Sequence, residues 1–250
     1  IEAAMKGMLD PVFEEKVILA QGELISTGMV NLYMLEQGVK SCLLPALEYM
    51  RIDKNNEPDT AYIRENLSAI LEKNAGYDIY ITQGYICRNA FGEVDNLQRG
   101  GSDYTASLIG AAILADEIQI WTDIDGMHNN DPRYVDNTKP VSNLSFDEAA
   151  ELAYFGAKIL HPTCVLPAKV NNIPVRLLNT MDPKAHGTLI SAAQCEKRIA
   201  AIAAKDSITA IKIKSGRMLL AYGFMRKVFE IFESHKTSID MITTSEVGVS

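Results

Sequence analysis

The sequence predicts an α/β protein: a mainly parallel sheet sandwiched by helices, followed by a small α+β unit. Three observations carry this. Helix-periodic runs alternate with short apolar, strand-like runs from about residue 20 to residue 180, as in a parallel sheet whose crossovers cover both faces. A glycine turn, Leu97-Gln98-Arg99-Gly100-Gly101-Ser102-Asp103-Tyr104, links a strand-like run to a helix-like one. Near residue 195 the alternation gives way to strand, turn, strand, helix, strand, so residues 1–195 and 196–250 are expected to form separate domains.

Taken in order, residues 1–20 read as helical without a clear start. Gly22 to Gln37 reads as a helix with Leu24, Ile25, Met29, Leu32 and Leu35 on its apolar stripe, stopped by Gly38. Val39–Leu44 is a buried strand and Asp53–Asp59 a polar loop. Thr60–Asn74 is a helix with Ile63, Leu67, Ile70 and Leu71 on one face. Tyr77–Ile86 is a strand and Asn89–Glu93 a turn. Tyr104–Ala115 is a helix, with Ser102 or Asp103 as its cap, and Glu117–Thr122 is a strand. Ser145-Phe146-Asp147-Glu148 is a capping box that opens a helix to about Phe155. A short helix follows His161-Pro162, Pro174–Asn179 is a strand, and Thr180–Lys197 is loop-like. The tail reads as a strand at Ile208–Ile213, a turn at Ser215-Gly216, a second strand, a helix at Met225–His235 and a strand at Ser238–Thr243.

Composition narrows the function. With 250 residues, 47% hydrophobic and 22% charged, the chain sustains a real core. Its net charge of −8 and lack of a Lys/Arg cluster argue against a nucleic-acid partner, and no apolar run approaches the ~20 residues that span a bilayer. Cys42, Cys87, Cys164 and Cys195 show neither paired nor metal-like spacing, so free thiols in a reducing, cytoplasmic setting are expected. No zinc motif occurs. The chain opens mid-pattern and closes in the strand-like Val247–Ser250, so both ends read as cut.

The chemistry-bearing residues cluster after strands. Gly100 and Gly101 let backbone approach a bound group, and the following helix start offers N–H groups and partial positive charge to an anion. Arg99 and Asp103 add one charge of each sign. At the end of the Gln119–Asp123 run, Thr122 and Asp123 suit a ribose or an adenine amino group, or are a plain strand exit. Arg133 after Pro132 reads either as a phosphate contact or as a surface arginine. Lys158 is a lone cation among apolar neighbours, suited to phosphoryl oxygens or to a helix C-terminus. His161 reads as a structural hydrogen-bonder. Glu23, in the first turn of an apolar helix, fits a dipole role; Ser26 and Thr27 in the same helix are further candidates for facing a ligand.

These segments resemble a family. Gly22-Glu-Leu-Ile-Ser26, Leu97–Tyr104, Trp121-Thr-Asp-Ile-Asp-Gly126, Asp131-Pro-Arg133 and Phe155-Gly-Ala-Lys-Ile-Leu-His-Pro162 are together similar to aspartate kinase, of the amino-acid kinase superfamily. The resemblance covers most of residues 20–192. The tail resembles that family's first ACT regulatory domain, of the lysine-sensitive type, through Tyr222–Met225 and Ile239–Glu246.

The resemblance implies the amino-acid kinase fold, a truncated ferredoxin-like ACT domain, and transfer of the ATP γ-phosphoryl group, with Mg²⁺, to the β-carboxylate of L-aspartate. Lysine, threonine and methionine synthesis would begin there. By motif position Arg99 would grip the α-carboxylate, and Glu23 and Asp103 would meet the ammonium group or orient a catalytic lysine. Gly100, Gly101 and Ser102 would form the cradle. Thr122, Asp123, His128, Arg133, Lys158 and Ile159 would take the nucleotide. Gly223, Phe224, Met225, Ile239, Asp240, Ser245 and Glu246 would bind an effector, expected to be lysine, at the contact of a homodimer or higher homo-oligomer.

Three departures qualify this. The family's N-terminal Lys-Phe-Gly-Gly segment and a partner Ser/Thr loop do not occur in the sequence, so full catalysis is not expected of these residues alone. His128 stands where tyrosine is commoner, and the chain stops inside its first ACT unit. A kinase of the acetylglutamate type and a non-catalytic amino-acid sensor remain alternatives.

Overall fold

The computed structural model describes residues 11–98, 100–131, 133–154, 162–193, 199–204, 206–214, 222–245 and 248–249. The chain divides into two units, Ile1–Ala204 and Lys205–Ser250, a division somewhat later than the one expected near residue 195.

In the first unit α1 (Pro11–Glu36) is a single helix that runs through Gly22, where the sequence pattern suggests a fresh start. It ends before Gly38, whose φ of 78° leaves the right-handed region. Of its expected apolar stripe Leu24 packs on the core, whereas Ile25, Met29 and Leu32 are 60%, 66% and 63% exposed. The docked face instead carries Lys16, Ala20, Leu24, Thr27 and Asn31, spaced three and four residues apart on one side. Lys16 Nζ pairs with Asp95 Oδ2 at 2.6 Å, Thr27 Oγ1 accepts from buried Gln83 at 2.8 Å, and Asn31 Oδ1 accepts from Ser41 at 2.9 Å. A largely polar seam is invisible to hydrophobic periodicity.

β1 (Ser41–Leu44) pairs in parallel with β2 (Ile79–Thr82), Ser41 opposite Ile79. Between them lie α2 (Ala46–Tyr49) and α3 (Thr60–Lys73). Asp59 caps α3 by accepting the Tyr62 N–H at 3.1 Å, and Ile63 and Leu67 are buried as their spacing predicts. The strand expected to reach Ile86 stops at Thr82. The chain then turns through Gln83, Gly84 and Tyr85, the last at φ 69°, before β3 (Ile86–Arg88) starts an antiparallel hairpin with β4 (Val94–Asn96). Asn89 Oδ1 ties the hairpin turn by accepting the N–H groups of Phe91 and Glu93.

The second half is built on a four-stranded sheet of order β5-β7-β8-β6: β5 (Ile118–Thr122), β7 (Val175–Asn179), β8 (Thr188–Ser191) and β6 (Asn143–Ser145). β5–β7 and β8–β6 are parallel and β7–β8 antiparallel. β6 is not among the expected strands, and β8 replaces part of the expected loop at Thr180–Lys197. Their runs of three and four residues are too short to show a period. α4 (Gly101–Ile113), α5 (Phe146–Tyr154) and α6 (Pro162–Val170) complete the unit. The capping box forms: Ser145 donates its N–H and hydroxyl to Glu148 Oε2, both at 2.8 Å. One core gathers Ile120, Met127, Leu144, Val165, Leu177 and Ile190; another gathers Leu44, Tyr49, Ile63, Leu67, Ile86 and Leu108.

The second unit has β9 (Ile213–Lys214), α7 (Phe224–Ser234), β10 (Thr244–Ser245) and β11 (Gly248–Val249), in an antiparallel order β10-β11-β9. The strand expected at Ile208–Ile213 is confined to Ile213–Lys214, and Ser238–Thr243 lacks strand pairing. The strand expected after Ser215-Gly216 begins among residues outside those described.

Candidate active site

The glycine turn is a cradle made by close packing. Gly100 is the N-cap of α4 at φ 73°, ψ 16°, and no side chain caps the helix. Ser102 and Asp103 therefore stand inside the first turn instead of capping it as expected, and their own N–H groups have no side-chain acceptor among the described residues. Gly101 is wedged against the Tyr85 turn: an added Cβ would lie 2.7 Å from Tyr85 Cδ2 and 3.3 Å from Leu97 Cβ. Thr105 staples the two segments, donating to Gly101 O at 2.8 Å and accepting the Tyr85 N–H at 3.0 Å. Gln98, at φ 59°, accepts the Gly101 N–H at 3.1 Å, while its own N–H is held by Asn96 Oδ1 at 3.0 Å. Left-handed backbone at the non-glycine residues Tyr85 and Gln98 stores strain around the site. Beneath lies Cys164 of α6, 1% exposed, with its Sγ 3.4 Å from Gly100 O.

Asp103 has no hydrogen-bond or ion partner among the described residues, and partial burial raises its carboxyl above the ordinary range. A carboxylate so placed favours a cation arriving beside it. Next to the cradle is a cavity of about 350 Å³ lined by Asn55, Glu57, Asn96, Gln98, Tyr104 and Thr163. Burial, with Glu57 and Cys164 behind it, pushes the Tyr104 phenol up.

The second half of the site is the loop after β5. α4 leads into β5 through a tight connection and packs on it, so helix and strand run in opposite directions. The start of α4 and the carboxyl end of β5 therefore share one end of the sheet, where ligands of open α/β sheets bind. Thr122 and Asp123 stand there as expected, with Thr122 Oγ1 3.0 Å from Asp123 Oδ1. His128 is held from both sides, Nε2 2.6 Å from Asp125 Oδ1 and Nδ1 2.8 Å from Thr138 Oγ1. The Arg133 guanidinium pairs with Asp131 and lies 5.8 Å from the Tyr134 ring centre. It can meet a phosphate only by sharing or exchanging that carboxylate.

Glu23 is the thirteenth residue of α1, beyond reach of the helix-end dipole, so the first-turn explanation of its charge fails. Thr27 Oγ1 donates to Glu23 O at 2.7 Å and Ser26 Oγ to the same oxygen at 3.3 Å, so both hydroxyl protons are engaged by the helix backbone. Arg99, Lys158, Ile159 and His161 lie outside the described residues, as does Glu246. In the second unit Gly223, at φ 79°, is the N-cap of α7 without a side-chain cap, which repeats the start of α4. Phe224 and Met225 follow half-buried, Ile239 is half-buried, Asp240 is exposed, and Ser245 ends β10. Sequence reasoning missed Tyr85, Thr105 and Cys164. Only Gly84 before Tyr85, which sits where an added Cβ would be 3.1 Å from Ser102 Oγ, carried a signal.

No described helix is long and apolar enough to cross a membrane, and no described cluster of His, Cys, Asp and Glu could by itself hold a metal.

The amino acid kinase family model matches residues 3–179. Lysine-sensitive aspartokinase 3 of Escherichia coli is 38% identical over 241 residues, covering 93% of this chain and 53% of its own length. The crystal structure of E. coli aspartokinase III with aspartate and ADP superposes with a TM-score of 0.81 at 34% identity, over 99% of this chain and 56% of that one. The same enzyme with lysine and aspartate gives 0.67 at 36%, over 92% and 53%. The chain thus spans about half the length of the aspartokinases it matches. The family model accounts for well over half of these 250 residues, and the chain belongs to the amino acid kinase family.

Proposed function

We propose that the protein carrying this chain is an aspartate kinase, which moves the γ-phosphoryl group of ATP to the β-carboxylate of L-aspartate to give 4-phospho-L-aspartate. The observation that carries the reading is the paired construction at one end of the sheet. A helix start without a side-chain cap, with Asp103 lacking a partner among the described residues, stands on one side, and the Thr122–Arg133 loop on the other. The aspartokinase relatives, one of them solved with aspartate and ADP, support it.

A carboxylate with a reference pKa near 3.9 is ionised at neutral pH, so the acceptor needs no general base. One of its oxygens attacks the γ-phosphorus, the bond from that phosphorus to the bridging oxygen breaks, and ADP leaves with the electron pair. Mg²⁺ enters with ATP as its phosphate complex. The protein's task is alignment and charge neutralisation. Arg99 grips the α-carboxylate as a fork, and Asp103 and Glu23 meet the ammonium group. Gly100, Gly101 and Ser102 bring backbone N–H groups close. Thr122, Asp123, His128, Arg133, Lys158 and Ile159 take the nucleotide.

Residues 196–250 are read as part of an ACT domain that lets lysine restrain the enzyme through Gly223, Phe224, Met225, Ile239, Asp240, Ser245 and Glu246, at a contact between subunits. The lysine-bound relative supports that reading. The decisive assay is aspartyl hydroxamate formation from ATP, Mg²⁺, L-aspartate and hydroxylamine. Aspartate-dependent product, absent with acetylglutamate and reduced by lysine, is expected. No product with aspartate from the full-length protein that carries this chain would sink the proposal.

A further inference from the structure

We infer that Thr188, in β8 and distant in sequence from every segment that would touch nucleotide, is the positioning residue of the nucleotide loop. Its hydroxyl is fully buried and fully used. It accepts the Met127 N–H at 2.8 Å and donates to Val141 O at 2.7 Å. Met127 is itself 0% exposed, and its carbonyl accepts the Val141 N–H at 2.7 Å. Both polar groups of that residue are thereby fixed, midway between Asp123 and Arg133. The next residue along the loop is His128, held between Asp125 and Thr138.

Gly126 completes the clamp. It sits at φ 114°, and a Cβ there would lie 2.5 Å from Thr188 Oγ1 and 2.9 Å from Thr188 N. Loop backbone is pressed directly onto the threonine, with no side chain between them. One hydroxyl therefore sets the height at which the loop leaves the carboxyl end of β5. A buried threonine hydroxyl with two backbone partners cannot be replaced by a methyl without leaving an N–H and a C=O unpaired. Valine keeps the shape and removes the hydroxyl; serine keeps the hydroxyl.

The inference rests on the reading of this loop as the nucleotide site, and the test separates the two. ADP with Mg²⁺ is titrated calorimetrically into the full-length protein that carries this chain and into its Thr188→Val, Thr188→Ser and Gly126→Ala variants, and amide exchange is followed without ligand. Thr188→Val is expected to weaken ADP about tenfold and to speed exchange at Met127 by a similar factor. Leu97 and Tyr104, in the cradle, should keep their protection, and Thr188→Ser should restore both readings to within about twofold. Gly126→Ala, which displaces the hydroxyl without removing it, should act like valine and serves if the valine chain does not fold. Unchanged ADP affinity in a folded variant overturns the inference, as does exchange that quickens equally at Met127, Leu97 and Tyr104. Failure of the unaltered full-length protein to bind ADP overturns the nucleotide reading itself. Exchange at Met127 then still decides whether Thr188 holds the loop.

Discussion

The two sides of the candidate site are built on opposite principles. On the cradle side the groups facing the site are left incomplete: an uncapped helix start, Asp103 without a described partner, and left-handed Tyr85 and Gln98. On the loop side nearly every polar side chain already has a partner within the loop, as in His128 with Asp125 and Thr138, Arg133 with Asp131, and Thr122 with Asp123. An incomplete surface gains most from a charged guest that completes it. A self-satisfied surface keeps its shape without one and must exchange partners to bind. The contrast teaches that the cradle side is arranged to demand a ligand, and the loop side to be ready for one.

That contrast can be broken most sharply at Arg99. If Arg99 grips the aspartate α-carboxylate as proposed, Arg99→Ala in the full-length protein loses ~2–5 kcal/mol of transition-state stabilisation, because that carboxylate is left unpaired. The hydroxamate assay at low aspartate reads it, and an unchanged rate would remove Arg99 from the acceptor side. Next comes Gly101→Ala, whose Cβ would press on the Tyr85 ring at 2.7 Å. Overpacking of ~1–3 kcal/mol should appear as a lower thermal midpoint and weaker aspartate binding, with ADP affinity nearly kept. Equal loss of both ligands would mean that the two sides are not independent.

A smaller effect is expected on the loop side. Thr138→Ala removes one of the two partners of His128, and should weaken ADP by ~0.5–1.5 kcal/mol with little change in aspartate binding. The smallest effect sharpens the idea of an incomplete cradle. The Asp103 carboxyl, raised by burial, binds its proton more tightly in the folded chain than in the unfolded one. Its destabilising contribution is absent in acid and grows as pH rises through the folded value. Asp103→Asn should therefore raise the thermal midpoint slightly at neutral pH. The gain should vanish as pH falls into the ordinary carboxylate range near 3.8. A lower midpoint for the asparagine variant at neutral pH would show that the charge already has a stabilising partner.

How much of this could be read in advance follows from the range of the interactions. α3 was legible because the Ile63–Leu67 spacing is local, and the Ser145–Glu148 box because it spans three residues. The docked face of α1 was not, since Lys16, Thr27 and Asn31 meet partners 79, 56 and 10 residues away and none of them is apolar. The turn at Gln83–Tyr85 was hidden because its flanks have the composition of one continuous strand. Thr188 was hidden twice, in a short strand and through a bond to Met127 across 61 residues. The glycine cradle was seen from its motif, whereas its packing against Tyr85 and Cys164 belongs to tertiary structure alone.

Cys164 gives the cradle a built-in clock. Its thiol is 1% exposed with Gly100 O 3.4 Å away, so a thiol reagent can reach it only when the packing around it and the cradle opens. Cys87 is 0% exposed in the other core, and burial with Asp95 nearby pushes its thiol up to about 12. It answers to a different opening. The ratio of their labelling rates, followed as aspartate is added, would time the opening around the cradle against that of the other core.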